Sequence, residues 1–269
     1  MKSKIHIIFA FLFILSIVPF LGKFTSSVNV NEAKNELFRP ELFYCNSVDK
    51  ALIYTDSVYK GYNSTVFDTS LYVQTVSKFC KERFYHNLSH YSISDNWIAC
   101  IAGKLIWSHL SAIVIPDDIL KHSGGLCSQQ TIVFMELLKR KGINVRTVGL
   151  GYKEGPGHFL CEVHYNGGWR LHDVTMEPRW NRIENIHKSL DYYLQNKDSL
   201  FLAYEGRLDR KLFNKLMEKT QIGSINETPA KKMLLFHQFT AALTYLLPLF
   251  FLLMSILSYV KLKKLKRQS

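Results

Sequence analysis

The stretch SGGLCSQQT contains the residue with the clearest chemical potential, because Cys127 follows two glycines and opens an amphipathic run. A thiol at the start of a helix has a reason to be reactive, since unpaired backbone N–H groups and the helix dipole stabilise the thiolate. The same N–H groups can stabilise an oxyanion. A thiolate nucleophile also needs a base, and that base needs an orienting group. Without those partners, a lone cysteine is usually a buried packing residue.

A base and an orienting carboxylate occur downstream, on two predicted strands joined by Asn166 and Gly167. Asn-Gly between two such runs is the strongest short hairpin signal. With a two-residue turn, His158 is a diagonal neighbour of Asp173 on the same face of the hairpin. A three-residue turn would place the two side chains on opposite faces. We therefore predict that Cys127, His158 and Asp173 act as nucleophile, base and orienting group.

The remaining histidines fit this role less well. His164 lies on the same face but far from Asp173, and His172 points to the opposite face. His86 and His90 are four residues apart and could share a helix face, but no third ligand accompanies them. No CxxC pair is present either. We predict no metal site and no cofactor.

Hydrophobic periodicity predicts the elements that position these residues. A helix begins near Cys127 and ends before Gly142, after a basic last turn. Helices are also expected over residues 66–91, after an N-cap at Ser94, and over residues 181–220. Short β-segments lie between the Cys127 helix and residues 181–220, at INVRTVGL, HFLCEVHY and WRLHDV. Helix, then a small antiparallel sheet, then helix is an α+β order.

Both ends of the chain carry uncharged apolar runs, at residues 7–21 and 239–260. About 20 apolar residues are needed to cross a membrane as a helix, and the second run meets that length. The first run is shorter, follows Lys2 and Lys4 as a secretory signal would, and lacks a clear cleavage site. We predict an uncleaved signal-anchor, with a cleaved signal peptide as the alternative.

Basic residues near the membrane ends predict the orientation. Five positive charges follow the second run and two precede the first, so both termini are expected in the cytoplasm if the signal is uncleaved. The protein is then an integral membrane protein whose domain faces the periplasm or the outer face of the cell membrane. The predicted organisation is a signal-anchor or signal peptide at 1–23, an extracytoplasmic domain at 24–232 (core about 95–180, helical extension 181–220), a transmembrane helix at 233–260 and a basic cytoplasmic tail at 261–269.

Most of the formal net charge of +12 comes from the predicted membrane topology, because seven positive charges lie in the two cytoplasmic tips. No concentrated basic patch accompanies them, so nucleic acid is not an expected partner. The five cysteines are an odd number, which leaves one thiol unpaired in an oxidising compartment. If Cys127 is that thiol, Cys45, Cys80, Cys100 and Cys161 form up to two disulfides, in one of three pairings.

The segment from Gly124 to Asp173 resembles the transglutaminase-like core of the papain-like cysteine enzymes. The matching pieces are Gly-x-Cys at a helix start, a helix ending in KGI, Gly-His opening a strand, and a Trp before the Asp. The resemblance implies a Cys-bearing helix packed on a small antiparallel sheet, here flanked by helices and by N- and C-terminal transmembrane segments. It also implies a Cys127–His158–Asp173 triad for acyl transfer or hydrolysis at a peptide or protein amide, without a metal.

Supporting roles are predicted for four further residues. Related enzymes often use a Trp or Gln upstream of the cysteine in the oxyanion hole. Trp97 is an upstream candidate, with core packing as its alternative role. Gln129 follows the cysteine and is a further candidate, with lining of the helix start as its alternative role. Glu162 and Trp169 are predicted to support the site structurally.

Two functional hypotheses from different classes follow. The first is a membrane-anchored cysteine enzyme with a peptide or protein substrate, held in lipid by its terminal helices. The alternative is a non-catalytic transglutaminase-like module that binds a peptide or glycan in a cell-envelope assembly with partner proteins. Acyl transfer from a thioester, as in arylamine N-acetyltransferases, is a third and weaker alternative, because an exported domain is separated from coenzyme A.

Overall fold

The computed structural model describes residues 4–21, 37–62, 66–151, 157–176, 187–204 and 206–268. The chain divides into two compact units. The smaller unit comprises residues 1–27, 90–113 and 230–269, and the larger unit comprises residues 28–89 and 114–229. The predicted boundary at residue 23, most of the predicted KEGPG loop and the start of the predicted extension at 181 lie outside the described residues.

The larger unit combines helices with one sheet. Its helices are α2 (Val48–Lys60), α3 (Thr69–Arg83), α5 (Pro116–Ile119), α6 (Cys127–Arg140), α7 (Leu190–Gln195), α8 (Lys197–Ala203) and α9 (Arg210–Leu216). Its strands are β1 (Val145–Gly151), β2 (His158–Tyr165), β3 (Gly168–His172) and β4 (Lys219–Ile222). They form an antiparallel sheet in the order β3-β2-β1-β4, which confirms the predicted α+β class.

The helix α6 forms where the sequence predicted it. At its start, the Gln129 side chain accepts a hydrogen bond from the backbone N–H of Leu126 at 3.2 Å, which satisfies one unpaired donor. Its apolar side chains are buried, among them Val133, Phe134 and Leu137, and the helix packs on β1 and β2. Gly142 follows the last turn with φ +71°, a left-handed conformation that glycine adopts without strain.

The hairpin has the predicted register. Tyr165 pairs with Gly168 and Cys161 pairs with His172, as a two-residue turn requires. Asn166 and Gly167 both have positive φ, at 49° and 73°, which is the type I′ geometry that Asn-Gly favours. The face of β2 that carries His158 also carries Leu160, which joins a buried cluster with side chains of α7, α8 and α9. The sheet therefore lies between α6 on one face and the three short helices on the other.

The region after the hairpin differs from the prediction of one helical extension over 181–220. Its described residues form the three short helices α7, α8 and α9, and residues 219–222 form the strand β4. The segment KTQI has no clear alternation of apolar and polar residues, so its sequence does not predict a strand. Pairing with β1, in which Val148 lies opposite Ile222, makes it one. Tertiary contacts here override local propensity.

The smaller unit contains α1 (Ile5–Leu21), α4 (Ile93–Leu105), a 3-10 turn at Ser108–Ser111 and α10 (Lys231–Gln268). Among the described helices, α10 is long and apolar enough to cross a membrane, while α1 is a shorter apolar helix of 17 residues. Pro248 lies inside α10 without ending it. At α4 the predicted N-cap, Ser94, is wrong. The N-cap is Ser92. The Asp95 side chain, three residues later, accepts a hydrogen bond from the Ser92 backbone N–H at 3.1 Å, as in a capping box.

The two adjacent glycines of the hairpin give a matched test of the turn. Gly167 has positive φ and open space around its missing Cβ, whereas Gly168 does not have positive φ. We expect Gly167→Ala to lower the free energy of unfolding by about 1–2 kcal/mol more than Gly168→Ala does, because only the former strains the backbone. Urea unfolding of the two variants in detergent measures this difference. Equal stabilities would contradict the type I′ turn.

Candidate active site

The entry to α6 brings two chain segments very close together. Gly124 forms a bridge with Tyr85, and the backbone N–H of Gly125 donates to the Tyr85 carbonyl at 3.0 Å. A Cβ on Gly125 would lie 3.3 Å from the Phe84 ring, a tight contact. The glycines before Cys127 therefore permit a close backbone approach that fixes where α6 begins.

The hairpin brings His158 and Asp173 together next to the Cys127 thiol. The Nε2 of His158 lies 2.6 Å from Oδ2 of Asp173, and both side chains are buried. This contact leaves the other ring nitrogen for the thiol, and the Cys127 side chain is a hydrogen-bond partner of the same imidazole. A second link joins helix and strand, because the Thr131 hydroxyl donates to the Phe159 carbonyl at 3.2 Å. The structure thus brings the three predicted residues together.

Asp173 is held by four donors. His158 and the Tyr204 hydroxyl donate to Oδ2, each at 2.6 Å, and the backbone N–H groups of Thr175 and Met176 donate to Oδ1 at 3.1 and 3.0 Å. Burial raises the pKa of this carboxyl, but the positive charge of His158 and these hydrogen bonds outweigh burial and lower it. The carboxylate is therefore ionised and fixed in one orientation.

The same interactions couple the ionisation of the other two groups. Burial lowers the pKa of His158, but the charge and hydrogen bond of Asp173, with a smaller contribution from Cys127, raise it to about 10. Burial raises the pKa of the Cys127 thiol, but the hydrogen bond and charge of His158 and the Phe159 backbone outweigh burial and lower that pKa below its ordinary value. The arrangement favours a thiolate beside an imidazolium, which is the reactive form of a cysteine nucleophile.

A cavity of about 660 Å³ opens onto the thiol and the imidazole. Its lining combines apolar, amide and basic side chains. These include Phe84, Met176, Gln130, Lys81 and Arg207. Burial and the nearby Arg207 charge lower the pKa of Lys81 to about 8. Among the described residues, no cluster of three His, Cys, Asp or Glu side chains could hold a metal ion.

Two of the predicted supporting residues, Gln129 and Glu162, hold the elements that carry the triad to neighbouring segments. The Gln129 amide binds both backbone groups of Ser89, donating to its carbonyl at 2.8 Å and accepting from its N–H at 2.9 Å. Glu162 is buried, pairs with Arg146 at 2.6 Å, and accepts from the backbone N–H of Leu190 at 2.7 Å. These contacts tie α6 and β2 to their neighbours.

The other two predicted supporting residues lie elsewhere in the fold. The Trp169 ring packs under the Arg146 guanidinium at 4.3 Å, on the β3 side of the same ion pair. Trp97 belongs to α4 in the smaller unit, and its proposed part in the site stays a prediction. All five cysteines have free thiols, with four buried and Cys127 half-buried, so neither expected disulfide is present.

Tyr204 is a site residue that sequence reasoning missed. It is buried at the end of α8, and its hydroxyl reaches Asp173 from 31 residues further along the chain. Lys81 and Arg207, which line the cavity, were missed for the same reason. No local pattern marks these residues, because tertiary packing brings them to the triad, Lys81 from α3 and the other two from the end of α8 and the loop after it.

Comparisons with known proteins give little further information. No protein-family model matches the chain, and no curated protein sequence matches it. Among solved structures, the chain is similar to a crystal structure of a TGase, with 15% sequence identity and a TM-score of 0.30. The alignment covers 62% of this chain and 40% of that chain. At this TM-score the similarity is compatible with a transglutaminase-like fold and carries no argument about activity.

The coupled ionisation of Cys127 and His158 predicts a shifted alkylation profile. Thiolate reacts and thiol does not, so the rate of Cys127 alkylation by iodoacetamide should rise with a midpoint at lower pH than that of an ordinary cysteine thiol. In His158→Ala the midpoint should move to higher pH, because burial of the thiol is then opposed only by the Phe159 backbone. His164→Ala, on the exposed end of the same strand, is the control. Mass spectrometry at Cys127 measures the rates, and an unchanged midpoint in His158→Ala would count against the pair.

The Tyr204 contact predicts a loss of stability. Tyr204→Phe removes one donor from a buried carboxylate, so the free energy of unfolding at pH 7 should fall by about 1–3 kcal/mol. Tyr193→Phe is the matched control, because this buried hydroxyl accepts a long 3.4 Å bond from the Lys188 backbone and is not among the partners described for Asp173. Urea unfolding in detergent compares the two. A loss in Tyr193→Phe as large as in Tyr204→Phe would contradict the assigned contact.

Proposed function

We propose that this chain is a membrane-anchored, transglutaminase-like cysteine enzyme that acts on a peptide or protein amide outside the cytoplasm. The observation that carries the proposal is the 2.6 Å contact between His158 and a buried Asp173, with the Cys127 thiol as a hydrogen-bond partner of the same imidazole. A buried, fully hydrogen-bonded carboxylate that orients a histidine beside a thiol in the first turn of a helix is the arrangement a thiol nucleophile needs.

In the proposed reaction the Cys127 thiolate attacks the amide carbonyl carbon and forms a tetrahedral oxyanion. Backbone N–H groups in the first turn of α6 stabilise that oxyanion. The His158 imidazolium gives its proton to the leaving nitrogen as the C–N bond breaks, and an acyl thioester remains on Cys127. Water or an amine then attacks the thioester, His158 takes its proton, and the thiolate is released. Asp173 keeps the imidazole oriented throughout.

The proposed anchor is α10, followed by the basic tail. The arrangement of α1 supports a pair of helices with both ends on one side of the membrane. The rings of His6 and Tyr259 are 6.0 Å apart, and those of Phe20 and Tyr245 are 5.5 Å apart, so the two helices run antiparallel. The five positive charges after residue 260 favour the cytoplasmic side for both termini.

An amide-mimicking electrophile tests the chemistry. We expect a peptide fluoromethyl ketone to label the full-length protein at Cys127, and His158→Ala to lower the labelling rate by about 100-fold or more, because general acid–base help is lost. Peptide mapping by mass spectrometry locates the label. Cys127→Ala should abolish the signal.

The control for this experiment is Cys100→Ala, which removes a buried thiol from the smaller unit. It should leave the labelling rate unchanged. The proposal fails if Cys127 reacts no faster than the thiol of a short peptide, or if His158→Ala reacts at the wild-type rate. Either result would favour a binding module over an enzyme.

A further inference from the structure

The smaller unit exposes a patch of large apolar side chains at the end of α4. The patch consists of Ile101, Leu105, Ile106 and Trp107, which are 41%, 80%, 79% and 54% exposed. One charged residue, Lys104, occurs between residues 96 and 107. Exposed apolar side chains grouped in this way mark a surface that meets a protein or a membrane.

The contacts between α4 and α10 show where the start of α4 lies along the apolar run of α10. The Asn96 amide donates to the Thr240 hydroxyl at 2.8 Å, and the Thr244 hydroxyl donates back to the Asn96 carbonyl oxygen at 3.4 Å. Both threonines lie in the uncharged run at 239–260. The start of α4 is therefore level with the first turns of the segment that is long enough to cross a membrane.

Further contacts, made by α1 and by the turn at Ser108–Ser111, place both ends of the segment 93–111 at nearly the same level along α10. The helix α4 packs on α1 as well as on α10, and α1 ends near Tyr245, where Phe20 contacts it. The Nε2 of His237 donates to the Leu110 carbonyl at 2.9 Å, so the chain has returned to the edge of the apolar run by Leu110. From His237 to Thr244 the rise along α10 is roughly 10 Å. The segment thus stays within the boundary zone at one end of α10.

We propose that residues 93–111 form an interfacial membrane element, with the apolar patch embedded in the leaflet at the N-terminal end of α10. The partner is the lipid itself, because the patch belongs to the same compact unit as α1 and α10 and is continuous in depth with their apolar surfaces. Trp107 is placed where tryptophan is enriched in membrane proteins, and the Lys104 side chain extends towards the headgroups. This inference rests on the membrane anchor of the proposed function.

Tryptophan quenching tests the proposal. The full-length protein is reconstituted in phosphatidylcholine vesicles with or without bromine atoms on the acyl chains, which quench nearby indole rings. We expect the emission lost on bromination to fall by about half or more in Trp107→Phe. Trp169→Phe, on β3 of the larger unit, should leave that loss unchanged. Phenylalanine keeps the patch apolar, so the variant retains the fold.

Two outcomes separate this proposal from the anchor. If Trp107→Phe loses as much emission as the wild type while alkaline carbonate leaves the chain in the vesicles, the patch faces water or a second protein copy. That result overturns the interfacial element and leaves the anchor standing. If alkaline carbonate releases the wild-type chain, both the anchor and the element are overturned.

Discussion

The buried contact between His158 and Asp173 is the constraint on which the rest of the larger unit depends. A buried carboxylate without partners is strongly destabilising, and removal of one member of a buried ion pair typically costs about 3–5 kcal/mol. Here the cost is offset by four donors, two from side chains and two from the backbone after β3. Each donor comes from an element whose position is therefore restricted. The start of β2, the turn at Thr175 and the end of α8 are all tied to the same carboxylate, while the Asn166-Gly167 turn sets the hairpin register.

The two faces of the sheet contribute different parts of the site. The face of β2 that carries His158 also carries Leu160 and packs on the three short helices, which bring the Tyr204 hydroxyl to Asp173. The opposite face receives α6, which brings Cys127. Because His158 is the first residue of β2, it lies at the end of its strand, where it contacts Asp173 after β3 and Cys127 at the start of α6. A residue in the middle of the strand would contact only one layer.

The smaller unit contains a buried amide, that of Asn96, which is satisfied locally inside an apolar surrounding. Asn96 has a non-helical conformation inside α4, and its amide pairs with hydroxyls of α10. Unsatisfied polar groups are costly in an apolar environment, so such pairing is expected wherever a polar side chain packs between apolar helices. Seven positive charges lie at the two ends of the chain, away from these contacts.

The sequence by itself determined those features that depend on local pattern. The Asn-Gly turn carries its own backbone preference, and with the period of two it placed His158 and Asp173 on one face. The periodicity of α6 and the glycine after it were likewise sufficient to locate the helix that begins at Cys127. Tertiary structure alone decided β4, Tyr204 and the residues that line the cavity. Their contacts join positions far apart in the chain, and a strand such as KTQI acquires its conformation from the neighbour with which it pairs, since its own residues carry no periodic signal.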